Sequence, residues 1–144
     1  MTEEYIIKQL SIFCENKTGK LAAIAKVFLD IGVSVQAFNI AEANNFGVVR
    51  VIVDKPETAF AEFAKQNYAL QYTDVLAVRM ENVPGGLFHV VKLLGDSGIN
   101  IDYAYTFGSA GIDALIIKIA NPRDAVEKIQ KLGLELLPAK DYTI

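Results

Sequence analysis

Residues 8–14 alternate, with Leu10, Ile12 and Cys14 on one side of an extended chain and Gln9, Ser11 and Phe13 on the other. The pattern predicts a strand. Past the polar turn Glu15-Asn16-Lys17-Thr18-Gly19-Lys20-Leu21, the apolar residues Leu21, Ile24, Phe28 and Ile31 recur at helical spacing, and the stripe stops at Gly32, a residue suited to the left-handed conformation that ends helices. A second strand begins Val33, Val35, Ala37 and then changes phase to Phe38 and Ile40, which predicts a bulge or bend. The turn Asn44-Asn45-Phe46-Gly47 leads into a third strand over 48–53, Phe60 and Phe63 mark a second helix, and 69–72 reads as a short closing strand.

The same order then starts again. Glu15-Asn16 and its turn return as Glu81-Asn82-Val83-Pro84-Gly85-Gly86-Leu87, an offset of 66, which also maps Leu10, Ile12 and Cys14 onto Leu76, Val78 and Met80. Leu87, Val90, Val91 and Leu94 repeat the first helical stripe as far as Gly98. Ile99, Ile101, Tyr103, Tyr105 and Phe107 then alternate with Asn100, Asp102, Ala104 and Thr106, as in a sheet with one buried face. The hairpin at Gly108-Ser109-Ala110-Gly111 is offset by 64 instead of 66, and Pro56 and Pro122 restore the phase. Asn121-Pro122 fits an N-cap followed by a first-turn proline, Val126 and Ile129 form the last stripe, and 134–137 reads as a closing strand. Each half therefore predicts βαββαβ, an α+β, ferredoxin-like module with two helices on one face of an antiparallel sheet. The expected domains are 1–72 and 73–144, with no Pro/Gly/Ser-rich linker and a boundary near 71–74.

Composition narrows the function without naming it. The chain has 144 residues, 52% hydrophobic and 22% charged, enough to bury a core, and its 14 basic and 17 acidic side chains give a net charge of −3. That balance supplies no positive field for a phosphate backbone, so nucleic acid is not expected as a partner. The single cysteine, Cys14, excludes an internal disulfide and any CxxC motif. No signal-like core follows the acidic start, and no uncharged apolar run reaches the about 18 residues of a membrane span, so a cytoplasmic protein is expected.

At Glu81-Asn82-Val83-Pro84-Gly85-Gly86-Leu87, followed after one helix by Gly98-Ile99-Asn100-Ile101, the sequence resembles an ACT domain, the small ligand-sensing module of amino-acid-metabolic enzymes. The resemblance covers the whole chain as two tandem copies. The second carries the Asn-x-Pro-Gly-x-Leu pattern in full, and the first has Thr18 where proline is usual. What the resemblance implies is a small amino acid held between paired domains, where the turn after one domain's first strand meets the start of its neighbour's second strand. The positions carried over are Asn16 and Gly19 in the first turn, Asn82, Gly85, Gly86 and Leu87 in the second, and the facing residues Ser34 and Asn100. Asn100 matches an asparagine that binds serine in a family dehydrogenase, whereas Cys14 and Met80 stand where that relative has a histidine.

The physical chemistry of these residues fits that role. A helix beginning at glycine offers unpaired N–H groups and the positive end of its dipole to a carboxylate, and asparagine can donate to a carboxylate and accept from an ammonium. Glu15 and Glu81 add attraction for the ammonium. The plain alternative is that Asn and Gly are good turn formers. The lone histidine, His89, lies opposite Leu87 and Leu94 as a solvent-facing or ligand-edge residue, and Asp102 and Asp113 lack metal-ligand spacing. No catalytic residue, metal or cofactor is expected. In Asn45-Phe46-Gly47-Val48-Val49-Arg50-Val51, the aromatic stackers of an RNA-recognition strand are replaced by valines. The expected function is a non-enzymatic sensor acting on a separate metabolic enzyme or through a homo-oligomer. A structural or protein-interaction module of the same fold with no small-molecule ligand stays open as the alternative.

Overall fold

The computed structural model describes residues 2–109 and 111–141; the expected hairpin position Ala110 lies outside them. The elements are a 3-10 helix at Thr2–Tyr5, then β1 (Ile7–Glu15), α1 (Lys20–Ile31), β2 (Val35–Ala43), β3 (Phe46–Val53), α2 (Pro56–Lys65), β4 (Ala69–Arg79), α3 (Gly86–Asp96), β5 (Tyr103–Ser109), β6 (Ile112–Lys118) and α4 (Pro122–Lys131), with a last 3-10 turn at Ala139–Asp141. The chain divides into two compact units, one over Lys8–Thr73 and the other over Asp74–Asp141 together with the segment that ends at Ile7.

In the unit over Lys8–Thr73, β3 pairs antiparallel with both β1 and β2. Leu10, Ile12, Val49, Val51 and Val53 point to one face, where Ile24, Val27 and Phe28 of α1 and Ala59 and Phe63 of α2 close over them. Phe63 is wholly buried between two rings, with Phe28 at 4.9 Å and Tyr68 at 5.2 Å between centroids. The predicted bulge in β2 is present as a register shift between Val35 and Ala37. Its consequence for burial is unexpected from pattern alone: Ala37 is buried, whereas Phe38 and Ile40 are 54% and 45% exposed. Gln9 and Ser11 are buried too, so both faces of β1 lose water and its polar alternation did not mark a solvated side.

In the second unit β6 pairs antiparallel with β4 and β5, and Leu76, Val78, Leu115 and Ile117 meet Val90, Leu94, Val126 and Ile129 of the two helices. The segment ahead of β1 belongs here. Ile6 is buried in this core, and Arg123 on α4 pairs with both Glu3 and Asp74. The inward residues 99, 101, 103, 105 and 107 are half-buried, and their alternating neighbours are exposed, as the pattern predicted. The strand itself starts at Tyr103, later than the pattern suggested, because backbone pairing to β6 starts with the Asp102 N–H donating to the Lys118 carbonyl.

Three other boundaries differ from the sequence reading. Residues 69–72 form no separate closing strand, since β4 runs unbroken through 71–74 to Arg79, its first part bringing Leu70 and Tyr72 to the first core. At 134–137 there is a bridge instead of a full strand: Val78 faces Leu136, the Arg79 N–H donates to Glu135, and the Leu137 N–H donates to Ala77. Asn121 does stand at the N-cap of α4 before Pro122, but its side chain makes no capping hydrogen bond.

Candidate functional site

The two turns are built alike. Gly19 and Gly85 are the N-cap residues of α1 and α3, with φ of 86° and 90°, left-handed values that a side chain would strain. The Lys20 N–H donates to Lys17 and the Gly86 N–H to Val83, at 3.2 and 2.9 Å; one turn later the Ala23 and His89 N–H groups donate back to the two glycines. No side chain caps either helix. The second and third N–H groups of each helix, those of Leu21 and Ala22 and of Leu87 and Phe88, stand where helix geometry provides no internal acceptor.

Beside each turn lies a cleft between the end of the module's first strand and the loop after its second helix. The first, about 460 Å³, includes Phe13, Cys14, Glu15, Lys20, Tyr68 and Ala69. The second, about 610 Å³, includes the residues 66 positions later, namely Arg79, Met80, Glu81, Gly86, Leu134 and Glu135, with His89 at its edge. The helix-exit residues Asn67 and Gly133 are also equivalent, and both are left-handed, at φ 68° and 85°. A Cβ at Gly86 would fall 1.9 Å from the Glu81 carbonyl oxygen, so the second turn is folded too tightly for any side chain there. The first turn carries Lys20 at that position. Its ammonium lies 5.3 Å from the centre of the Tyr68 ring.

Of the eight expected site residues, Gly85 and Gly86 line the second cleft. Asn16 is exposed, and its N–H ties the first turn to the β2–β3 hairpin through the Asn45 carbonyl at 2.9 Å. The Ser34 N–H donates to Asp54 Oδ1 at 2.9 Å, so its backbone is committed to the β3–α2 junction. Asn82 is exposed, Leu87 is 53% exposed, and Asn100 Nδ2 donates to Asp102 Oδ1 at 3.4 Å. The residues missed were those of the loop after each second helix. Extending the 66-residue offset to Asn67 and Gly133 would have pointed to them. Among the described residues, no His, Cys, Asp and Glu side chains gather into a metal-binding group, and no helix is long and apolar enough to cross a membrane.

Two ferredoxin-like modules in tandem, each with a glycine-capped helix after its first strand, define the fold class. The family model for an ACT domain pair matches residues 5–143. The chain belongs to the ACT domain pair family. The crystal structure of protein BT0572 from Bacteroides thetaiotaomicron is similar at 33% identity and a TM-score of 0.88, over 96% of each chain. The regulatory subunit of aspartate kinase from Thermus thermophilus, in its ligand-free form, shares the fold at 12% identity and a TM-score of 0.67, over 91% of this chain and 93% of that one. The aspartokinase alpha and beta subunits share it at 15% identity and a TM-score of 0.58, over 89% and 93%. No curated protein matches the chain.

Proposed function

We propose that the chain is a non-catalytic regulatory protein that binds a small amino acid at its Glu-Asn turns, between paired modules, and passes the signal to a separate enzyme or through self-association. The observation that carries this reading is the doubled turn, in which a helix start without a side-chain cap is presented beside a cleft in each of two family modules. A carboxylate complements the helix start, and Glu15 or Glu81 complements an ammonium. Asn16, Gly19, Ser34, Asn82, Gly85, Gly86, Leu87 and Asn100 are the residues assigned to contact. The likeness to aspartate kinase regulatory subunits supports the fold side of this reading.

The second reading, a protein-interaction module with no small ligand, is favoured by one observation. The first unit exposes Leu29, Phe38 and Phe46 by 72%, 54% and 61%. A thermal-shift screen of the common amino acids separates the two. A ligand at about 100 times its Kd adds roughly 2.7 kcal/mol to the native state, and each kcal/mol moves the melting point by roughly 2–4 °C in a chain somewhat larger than this one. Asn82→Ala and Asn100→Ala should weaken binding with little change in melting temperature, because both residues are exposed. A transition that no amino acid moves would remove the sensor reading and leave the interaction module.

A further inference from the structure

In the first unit the helix layer stops short of the sheet's edge. Val35, Phe38 and Ile40 of β2 stand opposite Val53, Val51 and Val49, so they share the face that the helices cover, yet all three are exposed. Between them and α1 lies a groove of about 210 Å³. Its buried floor belongs to the first core, and its exposed walls are Leu21 and Ala25 on α1 and Val35 and Phe38 on β2. Leu29 extends the α1 wall by one turn, four residues beyond Ala25. Every side chain lining the groove is apolar, which favours an apolar occupant over water. The second unit, built on the same register, puts small or polar residues there: Ala104 and Thr106 stand opposite Ile117 and Leu115, and Gly95 replaces Leu29. The fold therefore does not require large apolar side chains at this surface.

From this asymmetry we infer that the α1–β2 face of the first unit, and not its counterpart in the second, is where two copies of the chain associate, first unit against first unit about a two-fold axis. The inference rests on the self-association part of the proposed function and names its surface. Leu21, Leu29, Val35, Phe38 and Ile40 are each 38–72% exposed. At about 150–200 Å² for a large side chain, five half-exposed ones present roughly 400–500 Å² of apolar surface. A stable interface of about 800 Å² per partner contains about 450 Å² of it, so the patch is of the right size for a dimer. The strand edge points the same way. β2 pairs with β3 along one side, and among the described residues no strand lies along the other. Its nine residues carry one charge, Glu42, and none of the lysines or prolines that guard open edges. Two such edges running antiparallel about an axis at Asn39 set each Phe38 opposite the other copy's Ile40. The neighbouring charges on α1, Lys26 and Asp30, already pair with each other, so the face complements an uncharged surface, which its own copy supplies.

The test is sedimentation velocity of the full chain at micromolar concentration without added amino acids. The expected result is a species of twice the chain mass, with Phe38→Lys and Ile40→Lys each raising the dissociation constant by about 30-fold or more. Ala104→Lys, the counterpart of Phe38→Lys in the second unit, should leave it unchanged. All three side chains are exposed, so far-UV circular dichroism should show each variant folded. A parent that stays monomeric would overturn the inference and leave the face to a different protein, without bearing on whether an amino acid binds. A dimer that survives both first-unit substitutions, or one that Ala104→Lys splits, would overturn it as well. A silent amino-acid screen beside a dimer split by Phe38→Lys would remove the sensor reading and leave this one standing.

Discussion

Gly86→Ala sets helix propensity against a backbone contact within the turn, and the two predict opposite signs. Gly86 is the first residue of α3 and has no left-handed φ, so helix propensity alone would have alanine stabilise the chain by about 0.8–1.0 kcal/mol. The structure reverses this. The added Cβ would lie 1.9 Å from the Glu81 carbonyl oxygen and 3.0 Å from its carbon, whereas carbon and oxygen ordinarily meet no closer than about 3.3 Å. The obstacle is backbone, so no rotamer change relieves it, and the turn must open by more than an ångström. Overpacking of this kind costs up to about 3 kcal/mol, and the propensity gain offsets about 1, leaving a net loss of about 2 kcal/mol. The melting temperature should fall by about 4–8 °C, and the urea midpoint should drop at unchanged slope. The repeat supplies the control: Lys20→Ala, at the equivalent position of the first turn, should cost only the contact with Tyr68, about 0.5–1 kcal/mol. A Gly86→Ala protein as stable as the parent, or more so, would refute the claim that the second turn is closed against a side chain.

Phe63→Ala removes a fully buried ring packed against Phe28 and Tyr68 and should cost about 3–5 kcal/mol by chemical denaturation. Tyr72→Phe deletes the hydroxyl that donates to the Pro56 carbonyl at 3.2 Å and should cost about 0.5–1.5 kcal/mol at neutral pH. Burial, and secondarily the charge of Glu57, pushes the Tyr72 hydroxyl above its ordinary pKa, so its stabilising contribution is complete below about pH 10 and lost as pH rises through the folded value. The decline in stability at alkaline pH should therefore be shallower in Tyr72→Phe than in the parent. Arg123→Ala breaks the pairs with Glu3 and Asp74 and should speed hydrogen exchange at the Ile6 amide, which donates to the Glu3 carbonyl, while leaving the Leu10 and Ile12 amides unaffected.

The architecture was legible because it is written twice. The offset of 66 tied weak elements to strong ones, and the phase change at Ala37 and Phe38 gave the position of the bulge. The continuity of β4 was not legible. Closing and opening strands share one apolar alternation, and nothing local records that Gln71 to Asp74 stay extended. The same holds for the candidate site. The turn glycines follow from the need for positive φ at a helix start, whereas Arg79, His89 and Glu135 become neighbours only when the loop after α4 folds back beside the turn.

The sequence by itself determined the order of elements, the family and the two glycine-capped turns, since these depend on periodicity and backbone conformation over a few residues. The tertiary structure decided which side chains line the cleft beside each turn. In one unit Lys20 reaches across to Tyr68, and in the other Arg79 pairs with Glu135. Each pair joins residues about fifty or more positions apart along the chain, where packing distance sets the outcome and residue type alone does not.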